Sequence, residues 1–324
     1  MNKLLLVIVL VTVAISGCTE KGPSGTGTSG VEKSVGDLKI LSIKSADNLS
    51  SYGLKSSVIQ TMKQNAVGIN ATPENATTIT KSTESIASVN LFGYRSSASS
   101  STKIVVESPG KATNSSTKQL DVYQTGNSTY IKDQNGKWTH ILDPRSAEAI
   151  WGQGNNNKVK ALAETINRSQ AETVGSENIE GVDAYELKII TGSVDYDNLY
   201  NTAIGIAAQL TQYPKFMFSI NRTELNKTGV METLIWISKD TYLPVKYQRS
   251  MSFKMTPFIV GGTDSKTGQM KRFNQPVRLG EVYVDLKTTN LYYDFNKSIE
   301  KNLPEEALKI APISSAEIQG APNA

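Results

Sequence analysis

The sequence predicts an α+β protein built on a curved antiparallel sheet whose concave face is covered by helices. Two observations carry this. Many segments alternate apolar and polar residues with a period of two and follow one another in meander order, with a few stretches of helical spacing between them. The clearest alternation runs from Leu243: Val245, Tyr247, Met251, Phe253 and Met255 share its parity, and Lys246, Gln248, Ser250, Ser252 and Lys254 take the other. Such a strand has one dry and one wet face, as in an antiparallel sheet packed on one side. With no internal repeat and no convincing boundary, residues 37–324 read as a single domain.

Ahead of that domain, Met1-Asn2-Lys3 gives a positive start, and Leu4 to Ile15 is apolar apart from Thr12. The run is too short to span a bilayer comfortably, so residues 1–17 read as a signal peptide. Ile15-Ser16-Gly17-Cys18 resembles the lipobox read by lipoprotein signal peptidase. Cys18, the only cysteine, is the expected lipidation site; the alternative is an ordinary signal peptide that happens to end near a cysteine. Residues 18–36, rich in Gly, Ser and Thr, read as the lipidated cysteine and a flexible tether. The expected location is the extracytoplasmic face of the cell membrane, held by lipid. One cysteine permits no intrachain disulfide, and a domain of this size buries enough core to do without.

The first helix is expected from Asp37 to about Leu49, followed by a strand in which Tyr52, Leu54, Val58 and Met62 share a face. Strand signals follow at Ile86–Leu91, Ile104–Glu107 and Leu120–Gln124, then turns at Gly126-Asn127 and Asn135-Gly136 on either side of Tyr130-Ile131-Lys132. Asp143-Pro144 opens a helical stretch over Arg145–Trp151 that resumes at Lys158–Ile166. Val174–Ile190 reads as two strands turning at Glu180-Gly181, and Leu199, Ala203, Ile206, Ala207 and Leu210 recur at helical spacing. Strands return at Phe216–Ile220, Val230–Ser238, Leu243–Thr256 and Glu281–Phe295, with Pro257–Pro276 read as a loop.

Several of these segments, in order, resemble the LolA-like lipoprotein-carrier superfamily, including its anchored LolB-like and LppX/LprG-like members. They are Ala46 to Tyr52, Gly126 to Trp138, Val174 to Tyr185, Trp236 to Lys246, Tyr293 to Asn296 and Leu303 to Ala307. Their order and spacing cover most of residues 37–310, though each motif is a degenerate strand-turn pattern. The resemblance implies an incomplete β-barrel wrapped over helices, with an apolar cavity for acyl chains. The polar stretch Asn65–Thr83 and the segment Pro257–Pro276 depart from the pattern.

Enzyme signals are poor. His140 is the only histidine, which excludes a histidine metal cluster, and GxSxG, phosphate-loop and HExxH motifs are missing. Glu305-Glu306 reads as a solvated helix start. No cofactor is implied. The net charge of +4 comes without a basic, aromatic-interleaved cluster, so nucleic acid is not the expected partner.

The dry row Val245, Tyr247, Arg249, Met251, Phe253 and Met255 has two readings. It is core packed against helices, or it lines a site for lipid or another apolar ligand, which adaptable methionines would suit. Arg249 on that row either pairs with a carboxylate or meets an anionic head group. Asn-x-Ser/Thr sequons are frequent, and Asn70, Asn75 and Asn114 lie in polar stretches where glycans are expected if the host attaches them. The leading expectation is an anchored lipoprotein binding an apolar ligand. The alternative is a surface interaction or sensor module with a packed core. Anchoring predicts that Cys18→Ala abolishes labelling by a metabolic fatty-acid probe, and a variant that is still labelled would contradict it.

Overall fold

A computed structural model describes residues 33–65, 76–152, 156–190, 192–211, 216–263, 269–298 and 302–314. Cys18, Asn70 and Asn75 lie outside them. Helix α1 (Val35–Asp47) leads into a meander of β1 (Ser51–Gln64), β2 (Thr77–Asn90), β3 (Arg95–Glu107), β4 (Asn114–Thr125), β5 (Ser128–Lys132) and β6 (Trp138–Leu142). Helices α2 (Ala147–Trp151) and α3 (Lys158–Arg168) precede the hairpin β7 (Ala171–Ile179) and β8 (Val182–Ile189). Next come α4 (Ser193–Thr211), β9 (Phe216–Ser219), α5 (Arg222–Thr228), β10 (Val230–Ser238) and β11 (Pro244–Met255). The chain continues through β12 (Phe258–Thr263), β13 (Met270–Arg278), β14 (Val282–Tyr293), α6 (Glu305–Leu308) and β15 (Pro312–Ser314).

Twelve strands form one sheet in the order β15-β6-β5-β4-β3-β2-β1-β14-β11-β10-β8-β7, antiparallel except where β15 joins β6. Its two edges, β15 and β7, do not pair with each other, so this curved sheet stays open as an incomplete barrel. The segment Pro257–Pro276, expected as a loop, instead supplies β12 and most of β13. With β9 these make a second sheet of three strands. That segment lacks the long clean alternation of a half-buried strand because every residue of β13 is exposed. The polar stretch Asn65–Thr83 likewise ends in strand, with β2 starting at Thr77.

Local chemistry sets the boundaries. Ser34 caps α1 by accepting from the Asp37 amide at 3.1 Å, and Asn157 caps α3 by accepting from the Lys160 amide at 2.9 Å. The turn between β7 and β8 places Glu180 at φ 48° and Gly181 at φ 93°, the pair of left-handed residues that a two-residue hairpin needs.

Alternation then sorts the large sheet into an inner face, against which the helices pack, and an outer face. Two apolar clusters fill the covered part of the inner face. Leu38, Val159, Ile166, Leu187 and Ile235 belong to the first, under α1 and α3. The second gathers Leu199, Ile206 and Leu225 from α4 and α5 onto Met251, Phe253 and Met255. On the outer face Trp236 anchors a smaller cluster, and Lys246 lies 3.9 Å over its ring. A fourth cluster joins Tyr130 and Trp138 to Ala307 of α6.

Tyr52 ties the sheet to α3. Its hydroxyl donates to the Asn156 carbonyl at 2.9 Å and accepts from the Lys158 amide at 3.1 Å, and burial pushes its pKa up to about 12. Tyr52→Phe removes both bonds and leaves two backbone groups without this partner. It is expected to cost about 1–2 kcal/mol in urea unfolding, and an unchanged midpoint would show that water replaces the hydroxyl.

Candidate functional site

Register places the sequence-predicted row directly. Tyr247, Arg249, Met251, Phe253 and Met255 lie on the inner face of β11, opposite Asn290, Thr288, Leu286, Val284 and Val282 of β14. Met251 and Met255 are fully buried against the α4 cluster. Val245 behaves differently. A bulge opposite Trp236 and Ile237 leaves it without a Cα partner on β10, and it packs with Ile179, Ala184, Leu234 and Trp236 in the outer-face cluster.

The pairing of Arg249 with a carboxylate is present. Its Nη2 donates to Asp195 Oδ1 of α4 at 3.0 Å, and its guanidinium also bonds the Tyr247 hydroxyl. Burial raises the pKa of Tyr247, and the positive charge of Arg249 offsets part of that rise. Tyr292, also buried, is raised for the same chief reason. Three polar atoms in this block have no hydrogen-bond partner among the described residues: Arg249 Nε, Thr288 Oγ1 and Asn290 Oδ1. Their residues are only 5 %, 1 % and 6 % exposed, so each unmet atom carries a desolvation cost.

Farther across the sheet the inner face changes character. From β2 to β4 it carries Ile104, Val106, Leu120 and Val122, all half-buried and members of none of the buried clusters. Between them lie Lys81, Thr83, Ser85, Ser100, Thr102 and Lys118, with the Thr83 and Thr102 hydroxyls 3.0 Å apart. Gln60, one strand away, reaches Gln209 of α4 at 3.3 Å. Among the described residues this half of the face is therefore less completely covered than the β11 half.

Sequence reasoning did not single out Lys81, Lys118 or the half-buried row. The signal was available: Ile79, Lys81 and Thr83 share the parity of Val89, so a lysine stands among inward positions. Asn114 opens β4, is exposed, and lies opposite Val106 at the end of the same face. His140 stacks on Tyr130 at 4.1 Å and donates from Nδ1 to the Ile310 carbonyl at 3.1 Å, which makes it a packing residue. Among the described residues no three His, Cys, Asp or Glu side chains gather as a metal site, and no helix is long and apolar enough to cross a membrane.

The chain matches no protein-family model and no curated protein. It is similar to solved structures of lipoprotein LppX from Mycobacterium tuberculosis (10 % identity, TM-score 0.34, covering 83 % of this chain and 98 % of that one). It is also similar to LprF from Mycobacterium bovis (12 %, 0.34, covering 83 % and 96 %). A putative outer membrane lipoprotein-sorting protein domain from Vibrio parahaemolyticus is a third (10 %, 0.21, covering 83 % and 96 %). At such values the likeness carries no functional assignment.

The Arg249–Asp195 pair makes a direct prediction. Asp195→Asn leaves a buried guanidinium facing a neutral group and should cost about 2–3 kcal/mol in denaturant unfolding. That is below the 3–5 kcal/mol of a wholly buried pair because Asp195 keeps 24 % exposure. A loss under about 0.5 kcal/mol would show that the pair holds nothing together.

Proposed function

We propose that the chain is an extracytoplasmic lipoprotein, anchored through Cys18, that binds a lipid or other apolar molecule on the inner face of its open sheet. One observation carries the reading. Ile104, Val106, Leu120 and Val122 face inward beside an apolar core, yet none belongs to a buried cluster. Apolar side chains left half-wet on the inner side of a sheet are the expected lining of a site that an apolar ligand completes. The β11 row contributes differently along its length. Tyr247 and Arg249 border the polar block, while Met251, Phe253 and Met255 form the floor under α4 and α5 and would line a site only if those helices lift. Asn114, and Asn70 and Asn75 of the β1–β2 connection, remain proposed glycan positions.

The interaction-module reading is favoured by a different observation. On β13, Met270, Phe273 and Val277 are 52 %, 41 % and 51 % exposed, beside Lys271, Arg272 and Arg278. A partner protein docking on this strand would cover them.

Two tryptophan substitutions separate the possibilities. Ile104→Trp should weaken binding of a fluorescent fatty acid at least several-fold while leaving stability nearly unchanged, because its site is open. Met251→Trp overpacks the α4 cluster and should cost roughly 1–3 kcal/mol with little effect on the probe. The reverse pattern would move the ligand beneath the helices. Probe binding to neither variant nor the wild type would end the carrier reading and favour the module.

A further inference from the structure

Charge is distributed unevenly between the two faces. On β1 to β4, β10, β11 and β14, every Asp and Glu points outward: Glu84, Glu107, Asp121, Glu232 and Asp285. These outer acids meet outer partners, as in Ser57 with Glu84, Ser252 with Asp285 and Lys188 with Glu232. The same strands place three cations inward, Lys81, Lys118 and Arg249. The inward carboxylate seen to answer them is Asp195 of α4, and it is taken by Arg249. Lys81 and Lys118 have no ion pair among the described residues.

Register lines these groups up. Arg249 is paired with Thr288, Thr288 with Val58, Val58 with Thr83, Thr83 with Thr102, and Thr102 with Lys118. The neighbouring row on the α1 side runs Tyr247, Asn290, Ser56, Ser85, Ser100. Lys81 stands in the row on the α4 side, next to Gln60. A polar band thus crosses the inner face between the two apolar clusters. At its covered end are the unmet atoms of Arg249, Thr288 and Asn290, and at its open end the unpaired lysines. Across the sheet Arg249 and Lys81 are three strand spacings apart, about 14 Å.

Resting on the reading that the inner face takes an apolar ligand, we propose that this band binds the anionic head group of an amphiphile. At the open end of the band Lys81 and Lys118 supply the charge, while Thr83 and Thr102, between them in register, supply hydrogen bonds. The acyl part lies along Ile104, Val106, Leu120 and Val122. Lys81, half-buried, is a poor candidate for a structural residue, and Lys118 is exposed at the mouth of the same face. Burial lowers the pKa of Lys81, and the charge of Lys118 lowers it further, so both effects oppose the charged state that an anion would restore. A carboxylate or a phosphate fits this chemistry equally, as a lipid head group.

The test uses the purified protein at neutral pH and dansyl-undecanoic acid beside its methyl ester, which has the same chain and no charge. The acid should bind roughly tenfold more tightly than the ester, and this preference should fall to within about twofold in the Lys81→Gln, Lys118→Gln double variant. Ester affinity and melting temperature should hold or rise in that variant, because unpaired charges have been removed. Lysophosphatidic acid should displace the probe, and inorganic phosphate at the same concentration should not. Equal binding of acid and ester to the wild type overturns the head-group assignment and leaves the apolar reading standing. A preference that survives the double variant overturns the role of the lysines, and displacement by inorganic phosphate overturns the amphiphile. Failure of both probes to bind overturns this proposal together with the reading beneath it.

Discussion

Among the described residues an open sheet of twelve strands has more inner face than its helices cover, and the rest of the described structure answers that constraint. A closed barrel of this width would enclose a lumen and lose its edges. Here β7 and β15 stay apart, and the inner face is dried piecewise. Helices α1 and α3 cover one end of the central strands, and α4 and α5 cover the other. The strands β2 to β4 carry apolar residues that those clusters do not absorb. Such residues contribute little while half-wet, since the hydrophobic gain scales with the area taken from water.

The same constraint explains the polar band. Where two helix pairs meet a continuous sheet, a strip of inner face lies between their footprints. Val58 packs against the α4 cluster and Tyr247 belongs to the α1 and α3 cluster; the other positions of the strip are hydroxyls, amides and basic side chains. Full satisfaction would make that strip a structural network; among the described residues Arg249 Nε, Thr288 Oγ1 and Asn290 Oδ1 stay unmet at its covered end. The outward placement of the strand carboxylates removes their repulsion from the inner face, which favours an anion over a cation there.

Much of the fold was legible because long alternation is a strong signal. The strand from Leu243 showed its inner row without help, and the burial of Met251, Phe253 and Met255 follows from it. Val245 was legible as apolar but not in direction, because a bulge is set by the partner strand and leaves no mark in its own sequence. The strands β2 and β3 were legible only in part, since runs such as Ser96-Ser97-Ala98-Ser99-Ser100-Ser101 alternate in direction without alternating in polarity. Residues 270–276, the β13 part of the expected loop, looked like loop because an exposed strand in a small second sheet needs no dry face. The band could not be read from any one segment, for its members come from separate strands and meet only through register.

Native mass spectrometry of the protein purified from its own cells tests the central claim most directly. The account predicts a population carrying one additional mass of lipid size, lost on collisional activation, while any acyl group covalently joined to Cys18 remains. A spectrum showing only the polypeptide and its covalent acyl chains, under conditions that keep a known lipid carrier loaded, would contradict it.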